Sequence, residues 1–586
     1  TPRQMTGQVN IDETWFHNCI TIPQVDLQNL VHARQCNHDA TSHRKTTTRQ
    51  RSSRSPWDER NRMLITQPDN PLYLLGMIDR ASGNTTAAIG SLRKSIAALE
   101  HLRSRISGGE EAVKLFESNN EDPRGYEALI GLLIADGDIE QALGYIERNS
   151  NEGLRNQFGA VLEETTDEGH RELLDKERLL KARIDRLAGE IAAEKGREST
   201  SSDRIEELQK IISIAESDYI GFVNETVKNE PELRMHFSSG VNPIELRSRK
   251  QKIPKDVVIL SYLLGEESTF IFVASHDTVI ARVVPASRQQ VSAAVASLHR
   301  VSSIEPGGSG RFDSEGRIAE ASQQLYRWLI APVRDAIGTR PLVAVIPSGA
   351  LQLLPFSMLA SADGRSFGED YSTFYISDLG IFLGDPPSSP LASITAFANP
   401  DATLPHAEEE ADAIAAAYRD ATVYTGSEAT ESRAKGVGSV GTLHFATHGQ
   451  LDYTNVEESW LMLAPEPDGT EDGRLTLSEI WSIPNLSDVR LVTLSACNSA
   501  VGEDVEAGWP INPANAFLQV GVPTVVATLW QVDDRATSRL MQQFYDELGN
   551  VGAAEALARA QRSLASTAEY AEPYYWAPFV LLGDWR

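Results

Sequence analysis

The stretches V-G-T-L-H-F-A-T-H-G (440–449) and V-R-L-V-T-L-S-A-C-N-S-A-V-G (489–502) decide the fold of this chain. Each is a short apolar run, rich in β-branched residues and closed by glycine, which is the pattern of a strand buried on both faces of a parallel sheet. The first run ends on His448 and the second delivers Cys497. Open α/β sheets carry their chemistry at the carboxyl ends of their strands, so both polar residues are expected at that edge. A thiol served by an imidazole is a nucleophile with its own proton acceptor. The thiolate attacks a carbonyl and the imidazole later protonates the leaving amine.

The interval between the two residues is informative. Cys497 follows His448 by 497 − 448 = 49 positions, and caspases carry their His about 50 residues before the Cys. Around this pair stand V-A-V-I-P-S-G-A-L-Q-L-L-P-F (343–356), L-P-H-A-E-E-E (404–410), A-F-L-Q-V-G-V-P-T-V-V-A-T-L-W-Q-V-D-D (516–534), L-M-Q-Q-F-Y (540–545) and P-Y-Y-W-A-P-F-V-L-L-G-D-W (573–585). In these residues the chain resembles the CHAT group of caspase-like cysteine peptidases, relatives of the caspases and of separase. The resemblance implies an α/β caspase-like sandwich over 255–586, a mostly parallel sheet covered by helices. Within it, 255–400 corresponds to a pseudo-half and 401–586 to the catalytic half. Ser348 departs from the group, where Asp or Asn is usual in that turn; this touches the turn and not the dyad.

The resemblance also implies roles. His448 polarises the scissile amide or protonates the leaving group, and Cys497 attacks the carbonyl. The backbone N–H groups of Gly449 and Cys497 form the oxyanion hole, where removing one donor costs about 3–4 kcal/mol in other enzymes. In this group an acidic residue just after the L-W strand lines the first specificity pocket. The matching position is Asp534, with Asp533 beside it; Asp452, just past the His448 loop, is a second candidate. A carboxylate there pairs with a substrate Arg or Lys, Arg most strongly because it binds bidentately. Asp533 and Asp534 also read as ordinary caps for a helix beginning at Ala536. His444, four before His448, lacks the Glu of a zinc-peptidase motif and reads as a sheet-packing residue.

The reading is thus a cytoplasmic bacterial cysteine endopeptidase that cleaves proteins after a basic residue, without metal or organic cofactor. Two alternatives stay open: a catalytically silent scaffold with the same domains, and a Cys-dependent acyl transfer on a small molecule.

Composition sets the frame for these expectations. A chain of 586 residues is too long for one core and divides into domains. Its net charge of −28 argues against direct nucleic-acid binding. No apolar run approaches the ~18 residues of a membrane span, so no membrane association is expected. The three cysteines, Cys19, Cys36 and Cys497, form no disulfide framework and fit a reducing compartment. Cys19 and Cys36 match no common zinc spacing with the nearby histidines.

Ahead of the peptidase-like part, residues 1–66 lack periodicity and include the basic, Ser/Thr-rich run 43–55, so they read as disordered. Residues 67–160 read as tetratricopeptide-like (TPR-like) helical repeats. Leu75 and Leu129 lie on first helices, Gly83-Asn84 and Gly137-Asp138 at turns, and Ala88 and Ala142 on second helices. Such repeats bind a regulatory protein or ribonucleoprotein partner in their concave face, or simply cap the enzyme domain. Residues 161–254 read as a helical hairpin or coiled-coil-like connector, from the stripes Leu173, Leu180, Ile184, Leu187, Ile191 and Ile205, Leu208, Ile212, Ala215, Tyr219. Strand signals begin at 257–264, 269–274 and 278–284 as a meander. The G-G-S-G segment (307–310) lacks the lysine of a phosphate loop and reads as a linker.

Overall fold

The computed structural model describes residues 71–103, 124–148, 202–229, 250–306, 314–382 and, apart from 392, 439, 453–457, 484–485, 497–498 and 501–511, residues 391–586, with scattered helical positions between 173 and 194. The expected arm at 1–66, the G-G-S-G segment and Cys497 lie outside the described residues.

Helices α1 (Pro71–Ala81) and α2 (Thr85–Arg103) meet at Gly83, whose φ of 76° is a left-handed position that glycine adopts without strain. Gly76 lets the pair close up, since a Cβ there would lie 2.7 Å from Leu92 Cγ. Helix α3 (Arg124–Asp136) and helical residues 139–148 repeat the arrangement around Gly137, φ 85°. Ala88, Leu92, Leu129 and Ala142 are buried, as small or apolar seam positions of TPR-like pairs should be. The repeats dock on the sheet through two carboxylates. Glu127 Oε2 accepts from the Glu266 N–H (3.0 Å) and Glu147 Oε1 from the buried Leu379 N–H (3.2 Å). Gly265 makes room for the first, because a Cβ there would collide with the Glu127 carboxylate.

Helix α4 (Ser202–Asn229) pairs with the helical positions between 173 and 194. Ile184, Leu187 and Ile191 pack on Leu208, Ile212, Ala215 and Tyr219, a cluster separate from the main core. Arg183 meets Asp218 at 3.2 Å and Tyr219 donates to Glu177 at 3.2 Å. These two stripes therefore bury their apolar faces chiefly against each other.

Strands β1 (Val257–Leu264), β2 (Thr269–Ser275) and β3 (Val279–Val284) form an antiparallel meander. With β4 (Leu342–Ile346), β5 (Ser372–Tyr375), β6 (Ser393–Ala398), β7 (Asp420–Thr425), β8 (Thr442–Ala446), β12 (Leu491–Ser495), β13 (Thr524–Thr528) and β14 (Phe579–Gly583) they make one eleven-stranded sheet in the order β3-β2-β1-β4-β5-β14-β13-β12-β8-β6-β7. Strands β9 (Gly449–Gln450), β10 (Trp460–Met462) and β11 (Arg474–Thr476) form a separate small sheet. Two parallel blocks, β1-β4-β5-β14 and β13-β12-β8-β6-β7, meet at the antiparallel β13–β14 pair. The sheet is thus mixed and mostly parallel. β6 falls in the expected 255–400 half, yet it pairs along its length with β7 and β8. Conversely, β14 pairs in parallel with β5. The division between the blocks therefore follows strand pairing rather than a single cut at residue 400.

Both faces are covered. The longer helices of this part are α5 (Arg288–Ser302), α6 (Ser314–Leu329), α7 (Pro405–Ala416), α8 (Pro513–Gln519), α9 (Asp534–Leu548) and α10 (Ala553–Ala565). Successive side chains of a strand point to opposite faces. Accordingly, Phe445 of β8 stacks on Phe397 (centroids 5.3 Å apart) and reaches Phe517 of α8 (5.8 Å), while His444 turns to α7 and α9. β8, β12 and β13 are buried at every position, as central parallel strands should be.

His444 proves to be more than a packing residue. Its Nε2 lies 2.8 Å from Glu410 Oε1, a contact close enough for an ion pair, and both side chains are essentially inaccessible. Its Nδ1 lies 3.2 Å from the Tyr545 hydroxyl, which donates to Thr493 Oγ1 at 2.8 Å. Glu410 belongs to α7, Tyr545 to α9, His444 to β8 and Thr493 to β12, so one buried polar chain ties both helices to the two strands that decide the fold. Removing one partner of such a pair leaves the other buried without compensation. Glu410→Ala is expected to lower stability by about 3 kcal/mol in urea unfolding, and His444→Phe combined with it to cost less than the two separate losses summed.

Candidate active site

β8 and β12 are parallel neighbours with His444 opposite Thr493 and Ala446 opposite Ser495, and the ladder continues through Thr447 N–H to Ser495 O at 3.3 Å. Both strands therefore end level at the carboxyl edge. His448 stands two residues beyond Ala446, and Cys497, outside the described residues, two beyond Ser495 by chain count. The chain on either side of Cys497 is pinned to the end of β13. Thr528 Oγ1 donates to Ala496 O (2.5 Å), Thr528 N–H donates to Ser499 Oγ (3.0 Å), and Ala500 N–H donates to Thr528 O (2.9 Å).

His448 is half-buried, and its Nε2 lies 2.7 Å from Thr403 Oγ1 and 3.8 Å from Asp401 Oδ2. Thr403 in turn donates from its hydroxyl (2.8 Å) and its backbone N–H (3.2 Å) to Asp401 Oδ1. The β6–α7 loop that carries them is closely determined. Asn399 donates from its backbone N–H to Ala446 O (3.0 Å), accepts on Oδ1 from the Leu404 N–H (2.7 Å) and donates from Nδ2 to Glu408 (2.8 Å). Asn399 and Ala402 both take positive φ, 50° and 61°, a conformation that is uncommon for Ala and that turns the loop back over the end of β8.

Gly449 begins β9, opposite Leu461 of β10. Because Met462 N–H donates to His448 O (2.8 Å), Gly449 falls between hydrogen-bonded positions of an antiparallel ladder, where the N–H points away from the partner strand. That orientation suits an oxyanion donor. Asp452 follows on this loop, its N–H donating to Ser459 Oγ at 3.0 Å.

The two acidic residues after the L-W strand divide. Asp533 caps α9, its Oδ1 accepting the Ala536 N–H at 2.8 Å. Asp534 reaches across to α7, its Oδ2 accepting the His406 N–H at 3.0 Å. It thereby joins the loop whose Thr403, three residues earlier, touches His448. The preceding segment is held from the other block: His299 of α5 hydrogen-bonds Leu529 O through Nε2 (2.9 Å), which fixes Nε2 as a donor, and lies edge-on to the buried Trp530. Burial holds the His299 imidazole below its usual titration range, against the raising effect of that bond.

Among the described residues one trio of carboxylates, Glu431, Glu471 and Glu479, has the spacing of a cation site. The Lys435 ammonium already lies among them at 2.6, 2.8 and 2.8 Å, so this is an internal ion cluster joining helix Glu431–Lys435 to the β10–β11 region. What the sequence analysis missed is Asp401, Thr403 and Glu410. All three lie in or beside the quoted L-P-H-A-E-E-E segment, and the D-x-T spacing, which favours a side-chain turn, was the available signal.

No helix among the described residues is long and apolar enough to cross a membrane. Tetratricopeptide repeat protein 28 from Mus musculus and from Homo sapiens are each 24% identical to this chain over 325 residues, 44% of this chain; the match spans 13% of the length of these curated relatives. Two solved structures of the Saccharomyces cerevisiae separase–securin complex, at 3.0 and 2.6 Å resolution, are similar with TM-scores of 0.43 and 0.42 and identities of 10% and 11%, covering 90% of this chain and 48% of theirs. A complex of the Porphyromonas gingivalis RgpB pro- and mature domains has a TM-score of 0.30 and 10% identity, covering 51% of this chain and 76% of that one. The family model for the CHAT domain matches residues 319–584. The chain carries a CHAT domain at residues 319–584, behind a TPR-like helical region.

Proposed function

We propose that this protein is a cysteine endopeptidase in which Cys497 is the nucleophile, His448 its proton carrier and Asp534 the basis of a preference for Arg or Lys before the cut bond. The observation that carries the reading is the level ending of β8 and β12: His448 follows two residues beyond the last ladder pair on one strand, and Cys497 follows by chain count two residues beyond it on the other. The thiol gives its proton to the imidazole and the thiolate attacks the amide carbonyl. The oxyanion forms against the N–H groups of Gly449 and Cys497, and the imidazolium then protonates the departing amine. Water completes hydrolysis of the thioester on the same base. Asp534 gives one carboxylate oxygen to His406, and its second oxygen is the one assigned to substrate; Asp452, on the loop after Gly449, is the second acidic candidate.

The TPR-like repeats are hydrogen-bonded to the sheet through Glu127 and Glu147. A protein or ribonucleoprotein bound to them contacts the element that these bonds join to the sheet domain, and we assign them a gating role on that ground. Fluorogenic peptides carrying Arg, Lys, Asp or Leu before the reporter test the reaction. Cleavage after Arg is expected to fall by about four orders of magnitude in Cys497→Ala, and kcat/KM for Arg to fall about 100-fold in Asp534→Ala, with the Leu peptide unaffected. If no peptide is cut, a peptidyl-Arg electrophile decides between a gated enzyme and a silent scaffold. Gating predicts that Cys497 is labelled only after cell extract is added, whereas a scaffold stays unlabelled throughout.

A further inference from the structure

The network behind His448 has a direction. Thr403 has one hydroxyl proton, and it is committed to Asp401 Oδ1 at 2.8 Å. A hydroxyl that has given away its proton can only accept, so the 2.7 Å contact with His448 Nε2 requires that this nitrogen carry hydrogen. In the neutral ring the basic lone pair then belongs to Nδ1. When the ring takes up a proton, the new hydrogen sits on Nδ1, and Asp401 Oδ2, 3.8 Å from Nε2, faces the cation.

We infer that Asp401 and Thr403 are positioning residues that fix His448 as the Nε2–H tautomer, leaving Nδ1 as the atom that receives the thiol proton and returns it to the leaving group. This deepens the peptidase reading and rests on it for the identity of the reacting proton. The tautomer itself is a property of the resting protein. Asp401, Ala402 and Thr403 are exposed, and three features hold their loop in place. Asn399 fixes both ends of the loop, through its N–H to Ala446 and its side chain to Leu404 and Glu408. Ala402 is held at φ 61° immediately before Thr403. The Glu410–His444 pair then anchors α7, the helix the loop feeds, to the strand that carries His448. The proton accounting is complete: Sγ–H gives H⁺ to Nδ1, forming thiolate and imidazolium, and the Nε2 hydrogen stays with Thr403 throughout.

The bland reading is that Asp401 and Thr403 merely close an Asx-type turn, and the test separates the two. The full chain is labelled with ¹⁵N-histidine, and the His448 resonances are assigned by their loss in His448→Gln. The expected result is the Nε2–H tautomer in the wild type, a mixture of tautomers in Thr403→Val, and restoration in Thr403→Ser. With a cleaved peptide, Thr403→Val is expected to lower kcat about tenfold or more with KM little changed, and Thr403→Ser to recover most of it. A wild-type ring in the Nδ1–H tautomer overturns the inference. So does a Thr403→Val protein with unchanged resonances. Because the tautomer is read without substrate, failure of the peptidase reading leaves this result standing. Conversely, Cys497-dependent cleavage that is indifferent to Thr403→Val rejects the inference while keeping the peptidase.

Discussion

The parallel register of β8 with β12 is the constraint from which the rest of the site follows. Five consecutive pairs, Leu491↔Thr442 to Ser495↔Ala446, bring two runs that are distant in sequence to a common end. Parallel strands need long crossovers, and here the crossover carries the small β9-β10-β11 sheet as well as the helix Leu477–Trp481. A slip of one residue would exchange the faces of β8, sending His444 into the apolar contact of Phe445 and breaking its link to Glu410. The buried polar chain and the apolar stack of Phe397, Phe445 and Phe517 thus enforce the same register from opposite faces.

That register is tied to α7. Its N-terminus is approached by Asp534, its body is held by the Glu410–His444 contact, and the loop entering it places Thr403 on His448. A buried polar contact of this kind is weak evidence for stability, since desolvation offsets much of the attraction. Its better-supported consequence is geometric: the contacts of His444 with Glu410 and Tyr545 hold α7 and α9 against β8 in one arrangement.

The two parallel blocks meet at β13 and β14, so one sheet joins β1 and β5, beside whose ends the repeats attach, to β8 and β12. His299 on Leu529 O and Thr528 on the backbone around Cys497 both act at that seam. The TPR-like helices are attached at its far side through Glu127 and Glu147. Both attachments fall on segments flanking strands, Glu266 between β1 and β2 and Leu379 just beyond β5.

Local sequence determined the strands at 442–446 and 491–495, the helical pairs around Gly83 and Gly137, the two apolar stripes of the hairpin and the mixed α/β class. Each of these is written in the period of apolar residues or in a turn that needs glycine, and both are properties of neighbouring residues. The spacing of His448 and Cys497, with the motifs around them, was enough to point to the CHAT group. Only the tertiary structure decided that β6 joins β7 and β8, that β14 sits beside β5, that Asp533 caps its own helix while Asp534 reaches His406, and that His444 meets Glu410. It also decided that Asp401 and Thr403 stand behind His448. These are pairings between residues far apart in the chain, and a polar residue's partner is set by which strands and helices become neighbours, which no local pattern encodes.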